Sequence, residues 1–276
     1  MSEFYRFSGM DNYDSPEGMK KSWLFPLMGK SRLYFYFDNF LTFCISGRAA
    51  QKGKLDKDAQ IRYSSRNVDL IHKVGSKLHL RNLQNLRAVA NTPVVVIANH
   101  MSLFETGILH AIIREYIDFS FVIKESLLHT PYMKDILNSF NAIAVTRTNP
   151  REDLKTVLTE GKKCLESGRA LIIFPQATRD AELHPDKFSS IGVKLAKSAG
   201  VKILPLALKT DIIANGKGKF RDVGPVHPEH EVWFEFGQAM DVTGNGQEQQ
   251  QKIIEFISDR LNCWRALEAD KLGAKK

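Results

Sequence analysis

An α/β fold with a mostly parallel sheet covered by helices is predicted for this 276-residue chain. Beyond about residue 90, apolar runs rich in β-formers recur at VVVIA (94–98), FSFVI (119–123), AIAV (142–145), ALIIF (170–174), KILPLAL (202–208) and VWFEF (232–236). Helical patterns lie between most of them, and that alternation implies a parallel sheet with both faces covered. The third observation is one sharply bounded helix. Asn149 supplies an N-cap, Pro150 takes the first helical position and Glu152 the third, with Leu154, Val157, Leu158, Gly161 and Leu165 at helical spacing and Gly168 just beyond the end. The pattern closes with an amphipathic helix over 251–267, whose Ile253, Ile254, Ile257, Leu261 and Trp264 form a core-facing stripe. NGKGK (215–219) and TGNGQEQQQ (243–251) read as turns or solvated segments.

The N-terminal third has a different character. Residues 20–90 hold 14 Lys/Arg against 4 Asp, a balance of +10 in a chain whose net charge is +8. A basic region of this kind suits anionic headgroups or nucleic acid, but no zinc-finger spacing or RNA-binding motif accompanies it, so nucleic acid is not expected. The opening MSEFYRFSGMDNYDSPEG has no signal-peptide layout. LYFYFDNFLTFCI (33–45) is too short and too polar to span a bilayer. Drawn as a helix, it puts Leu33, Phe37, Phe40, Leu41 and Cys44 on one face, with Asp38, Asn39, Thr42 and Ser46 towards another. Trp23, Leu24 and Phe25 precede it, beside Lys20, Lys21, Lys30 and Arg32. Aromatic bulk flanked by cations fits an interfacial helix, as packing on the chain's own domain also would. The organisation expected is a basic segment over 1–89 and an α/β domain over 90–276, forming one globular unit. Cys44, Cys164 and Cys263 are odd in number and far apart, which suggests neither disulfides nor a metal cluster and fits a reducing compartment.

Three strand ends carry the chemistry. NHMSLFE (99–105) follows directly on VVVIA, at the carboxyl end of a strand, where open α/β sheets collect ligands. On one straight helix His100 and Glu105 would sit about 140° apart, so the pair requires His100 to precede the helix and Glu105 to lie in its first turn. Ser102 and Glu105 also form a capping box, which would account for both without catalysis. Asn99 and His100 are left over by that account, and a strand-end His is available for acid–base work near neutral pH. IIFPQATRD (172–180) places Thr178 and Arg179 beyond a second strand, and AVTRTNP (144–150) places Arg147 beyond a third, just before a helix N-terminus. Singly, each Arg reads as a surface ion pair; two of them converging with a helix N-terminus on the edge that carries His100 suit a phosphate.

These stretches, in this order, resemble the glycerolipid acyltransferase family typified by 1-acylglycerol-3-phosphate acyltransferases. That family has an NHxSxxD-like block, a later block ending in Arg, an FPEGTR-like block and a Pro-containing strand. They correspond here to Asn99 through Glu105, Val145-Thr146-Arg147, Phe174-Pro175-Gln176-Ala177-Thr178-Arg179 and Ile203-Leu204-Pro205-Leu206. VIKESLLHTPYM (122–133) resembles the family's Lys-Glu-Leu segment, matching Lys124 and Pro131, and the likeness covers about 90–210.

The resemblance implies acyl transfer from a thioester, on coenzyme A or acyl carrier protein, to the hydroxyl of a lyso-lipid, most simply 1-acylglycerol 3-phosphate. His100 would act as base and Glu105 would orient it. Asn99, Ser102, Lys124, Arg147, Gln176, Thr178 and Arg179 would bind substrate, with neither metal nor cofactor. It also favours the interfacial reading of residues 20–46, and with it a peripheral or monotopic place on the cytoplasmic face of a membrane. The departures are Glu105 for Asp, Gln176-Ala177 for Glu-Gly, and Phe188-Ser189-Ser190-Ile191 where the family often has Phe-Lys-x-Gly. They bear on the acceptor more than on the reaction. A non-phosphate lyso-lipid acceptor, or a lipid-binding protein without turnover, are the alternatives. The remaining histidines show no zinc-ligand spacing.

Overall fold

The apolar runs assemble into one eight-stranded sheet. In the computed structural model, which describes residues 5–19, 21–27, 32–176, 178–216, 218 and 222–273, the strands are β1 (Tyr13–Asp14), β2 (Leu78–Arg81), β3 (Val94–Ala98), β4 (Phe119–Lys124), β5 (Ile143–Val145), β6 (Ala170–Ile173), β7 (Lys202–Lys209) and β8 (Val232–Phe236). Their order across the sheet is β1-β2-β8-β7-β3-β6-β4-β5. From β7 to β5 every neighbour is parallel. β8 runs antiparallel to β7 and parallel to β2, and β1 closes the edge antiparallel to β2. All five residues of β3 and all four of β6 are buried, as strands covered on both faces must be.

The helices are α1 (Leu24–Leu27), α2 (Arg32–Gln51), α3 (Lys57–Lys73), α4 (Leu83–Arg87), α5 (Phe104–Ile113), α6 (Met133–Ser139), α7 (Pro150–Glu166), α8 (Ile191–Ala199) and α9 (Gln247–Gly273). α7 begins as its sequence dictates. The Asn149 side chain accepts from Arg151 N and Glu152 N, Pro150 occupies the first position, and Gly168 follows the last turn at φ +82. α9 is longer than the expected 251–267, but the expected stripe is the buried one, with Trp264 stacked on Trp233 at 5.6 Å. α3 closes on α5 where Gly107 lacks a side chain. Ser64 Oγ and Asn67 Nδ2 both donate to Gly107 O, at 2.6 and 3.0 Å, and a Cβ on Gly107 would meet Asn67 Nδ2 at 2.8 Å.

The N-terminal third belongs to the same body. β2 is inserted between β1 and β8, with Leu78 and Leu80 fully buried, so residue 89 marks no break in the sheet. α2 is turned opposite to a helix packed by its apolar face. Asp38 pairs with Lys73 at 2.9 Å, Asn39 Nδ2 donates to Asn67 Oδ1, and Thr42 accepts from Arg66 Nε at 3.1 Å. Leu33, Phe37 and Phe40 point outward at 65%, 68% and 61% exposure, and Trp23 is 70% exposed. Phe35 is the inward anchor, fully buried against Phe104 with ring centroids 5.0 Å apart. Among the described residues no helix is long and apolar enough to cross a membrane. Lys20, Lys30 and Ala177 lie outside the described residues, as do positions 217 and 219 of NGKGK.

Candidate active site

β3, β4, β5, β6 and β7 run the same way, so their carboxyl ends share one edge of the sheet. The chain leaves β3 at Asn99, whose amide is gripped by the backbone of β7. Nδ2 donates to Leu208 O at 2.8 Å and Oδ1 accepts from Leu208 N at 2.9 Å. A side chain thereby continues the strand ladder beyond its last backbone partners. His100 follows and is held on both backbone atoms: its N donates to Gln176 Oε1 at 2.8 Å, and its O accepts from Asp180 N at 2.9 Å. The imidazole lies on Phe174, centroids 4.5 Å apart and planes 23° apart.

His100 Nδ1 lies 2.6 Å from Glu105 Oε2, with the carboxylate fully buried and the His side chain 17% exposed. Among the described residues the imidazole has no second hydrogen-bond partner, which leaves Nε2 available for a substrate hydroxyl. The geometry is the one the spacing required: His100 precedes α5 and Glu105 lies in its first turn. The capping account is also realised, in altered form. Glu105 Oε1 accepts from Met101 N and Ser102 N, both at 2.6 Å, while Ser102 Oγ accepts from Phe104 N rather than from the residue after it. One carboxylate therefore caps the helix with one oxygen and orients the imidazole with the other. A carboxylate taken wholly out of water requires such a set of donors.

The sequence did not single out Thr210, one residue past β7. It is fully buried, its hydroxyl donates to Glu105 Oε1 at 2.7 Å, and it accepts from Ser102 Oγ at 2.9 Å. The only sequence signal was a small polar residue straight after an apolar strand. Of the residues expected to bind substrate, Asn99, Ser102 and Gln176 are buried with their polar atoms bonded to protein, Gln176 Nε2 reaching Glu182 O at 3.5 Å. In this geometry they hold the loop rather than face an acceptor.

Thr178 is exposed, as is Lys124 at the end of β4, which forms no ion pair among the described residues. Arg179 pairs with Asp222. Arg147 sits at φ +62, in the left-handed region that few non-Gly residues adopt. Asp153 of α7 pins that turn by accepting from Thr146 N and Arg147 N, at 2.9 and 2.7 Å. Although Arg147 as a residue is exposed, partial burial of its guanidinium lowers its pKa, Asp153 opposes this, and the charge of Arg179 lowers it again. The charge of Arg179 thus reaches Arg147.

Asp211, His230 and Glu268 bring ligand atoms within 4.8 Å of one another beside this edge. Lys209 Nζ already lies among them, 2.7 Å from Asp211 Oδ1 and 2.6 Å from Glu268 Oε1, so an ammonium supplies the positive charge there.

Residues 77–209 match the Acyltransferase family model. The chain is 33% identical over 191 residues, 69% of its length and 68% of the relative's, to a 1-acyl-sn-glycerol-3-phosphate acyltransferase of Pseudomonas aeruginosa. A protein of the same name from Borreliella burgdorferi is 27% identical over 49% of this chain and 52% of its own. The fold is that of the 1-acyl-sn-glycerophosphate acyltransferase of Thermotoga maritima, with TM-score 0.65 and 18% identity over 85% of this chain and 95% of that one. The chain belongs to the glycerolipid acyltransferase family and is an O-acyltransferase.

Proposed function

We propose that the protein moves a fatty acyl group from a thioester, acyl-CoA or acyl carrier protein, to the hydroxyl of a lysophospholipid, with 1-acylglycerol 3-phosphate as the preferred acceptor. The observation that carries this reading is the 2.6 Å contact of His100 Nδ1 with a buried Glu105 at the sheet edge. His100 Nε2 accepts the acceptor's hydroxyl proton as its oxygen attacks the thioester carbonyl. Glu105 keeps the imidazole's orientation and stabilises its cation. When the tetrahedral intermediate collapses, the C–S bond breaks and the thiolate takes the proton back from His100. General-base assistance of this kind contributes roughly 10²–10⁴-fold. Arg147 and Arg179 hold the acceptor's phosphate and so place its hydroxyl near the base.

The relatives' names support the phosphate-bearing acceptor, as does the placement of both arginines beyond strand ends on the edge that carries His100. Gln176 departs from the family pattern, but its carboxamide oxygen serves the His100 backbone, so the replaced charge faces the loop. The pairing of Arg179 with Asp222 favours the second reading, a non-phosphate lyso-lipid, because a phosphate must share or displace that carboxylate. The outward aromatics of α2, with Trp23, support a peripheral or monotopic place on a membrane, and the cytoplasmic face is the side we propose.

The test is thioester-dependent acylation of lysophosphatidic acid by wild type, His100→Ala and Glu105→Gln. Activity in the wild type, lost with His100 and weakened with Glu105, is expected. Wild-type turnover of a neutral lyso-lipid, without competition by glycerol 3-phosphate, would instead select the second acceptor.

A further inference from the structure

Glu105 must hold a fixed rotamer for its Oε2 to meet His100 Nδ1, and its other oxygen determines how that is done. Oε1 accepts three hydrogen bonds, from Met101 N, Ser102 N and Thr210 Oγ1, at 2.6, 2.6 and 2.7 Å. The first two donors lie three and four residues upstream on the same loop, so they move with it. Among the described residues, Thr210 alone comes from elsewhere in the fold. It stands at the end of β7, the strand that neighbours β3.

We propose that Thr210 is a positioning residue for acyl transfer, locking the Glu105 carboxylate to the sheet so that His100 stands ready as base. The proposal rests on the dyad reading given above. The direction of the hydroxyl chain is dictated by its ends. Phe104 N–H can only donate, so Ser102 Oγ accepts there and donates to Thr210 Oγ1. The ionised carboxylate can only accept, so Thr210 spends its single proton on Glu105. Each hydroxyl in the chain is thereby used once as donor and once as acceptor, in a site without exposure. A chain of this kind polarises in one sense and resists rotation of any member.

The anchor behind Thr210 is equally defined. On its N-terminal side the Leu208 backbone grips Asn99, so β7 holds both ends of the segment from Asn99 to Glu105. The intervening Lys209 is fully buried, its ammonium paired with Asp211 and with Glu268 of α9. Glu268 also accepts from Glu231 N at 2.8 Å, joining the start of β8 to the same cluster. Thr210 is β-branched and stiff at χ1, which suits a hydroxyl whose purpose is to stay in place.

The experiment compares Thr210→Val, Thr210→Ala and Thr210→Ser with wild type and His100→Ala in steady-state acyl transfer, alongside thermal unfolding of each. Losing one charge-assisted hydrogen bond is expected to lower kcat by about tenfold or more, with both KM values within about twofold, since Thr210 touches neither substrate. Thr210→Ser, which keeps the donor, recovers most of that loss. Should Thr210→Val fail to fold, the pair Thr210→Ala and Thr210→Ser carries the comparison, as both are smaller than threonine. The proposal is overturned by wild-type kcat in Thr210→Val or Thr210→Ala, or by a Thr210→Ser variant as slow as Thr210→Ala. Full activity in His100→Ala would instead bring down the dyad reading on which the proposal stands.

Discussion

The outward stripe of α2 invites a quantitative test. Phe37 and Phe40 are 68% and 61% exposed, and a Phe side chain carries roughly 200 Å², so each leaves about 130 Å² of apolar surface in water. At about 25 cal/mol per Å² that surface is worth about 3 kcal/mol per ring when fully withdrawn. Rings lodged at the headgroup boundary keep part of their surface wet, so about half that gain is expected, or roughly 3 kcal/mol for the pair. Phe37→Ser with Phe40→Ser should therefore weaken partition onto vesicles containing phosphatidylglycerol by about 100-fold. Co-sedimentation over a lipid titration measures it directly. Because both rings point away from the fold, thermal stability should hold within about 0.5 kcal/mol. Unchanged partition in a folded double variant would refute the assignment of this face, and the basic residues of the N-terminal third would then have to carry any membrane attraction alone.

Three further outcomes follow from particular contacts. Burial raises the Asp211 carboxyl, but its ion pair with His230 and the charge of Lys209 outweigh that and hold it at about 2. A depressed carboxyl stabilises the fold above its unfolded value and loses that stability as pH falls from about 4 towards 2, an effect worth about 2 kcal/mol. Urea titrations of Asp211→Asn and wild type should accordingly differ most at pH 7 and converge near pH 2. Asn149→Ala removes the cap of α7 and should cost about 1 kcal/mol, or a Tm fall of about 2–4 °C. A Cβ on Gly47 would fall inside the Tyr132 side chain, so Gly47→Ala should destabilise by about 1–3 kcal/mol. Most of that should return when Tyr132→Gly, which also removes the Cβ lying nearest, is added in a double-mutant cycle.

The sequence pattern was most legible where one physical rule acted alone. The β3 run VVVIA and the β8 run VWFEF match their strands end to end, because nothing competes with full burial there. α7 is bounded by its own cap and by a Gly at positive φ. β1 and β2 escaped notice because two and four residues carry no readable period. β2 is a strand by virtue of the hydrogen-bonding edge that β8 offers it, a tertiary cause absent from LHLR itself. α2 shows the opposite failure. Its two faces were evident, but which one packs was not, since Asp38, Asn39 and Thr42 need specific partners on α3 before a polar face can be buried.

The site divides along the same line. His100 and Glu105 were paired through the family resemblance, since spacing required only that His100 precede the helix and left the helix-cap account open. Their support could not be read from either. Asn99, Ser102 and Gln176 were expected to bind substrate because they match positions in the family's blocks. The fold gives each a protein partner: Leu208 and Thr210, some 109 and 108 positions away, for Asn99 and Ser102, and the His100 backbone, 76 positions away, for Gln176. Thr210 was hidden for the reciprocal reason: its importance lies in the residue it meets, 105 positions upstream. The Ser102–Glu105 box had offered two explanations that looked exclusive, helix cap or catalytic pair. A carboxylate has two oxygens, and Glu105 turns one to the cap and the other to His100 Nδ1. The cap is what makes the pair rigid, so weakening the cap by Ser102→Ala should lower turnover as well as stability.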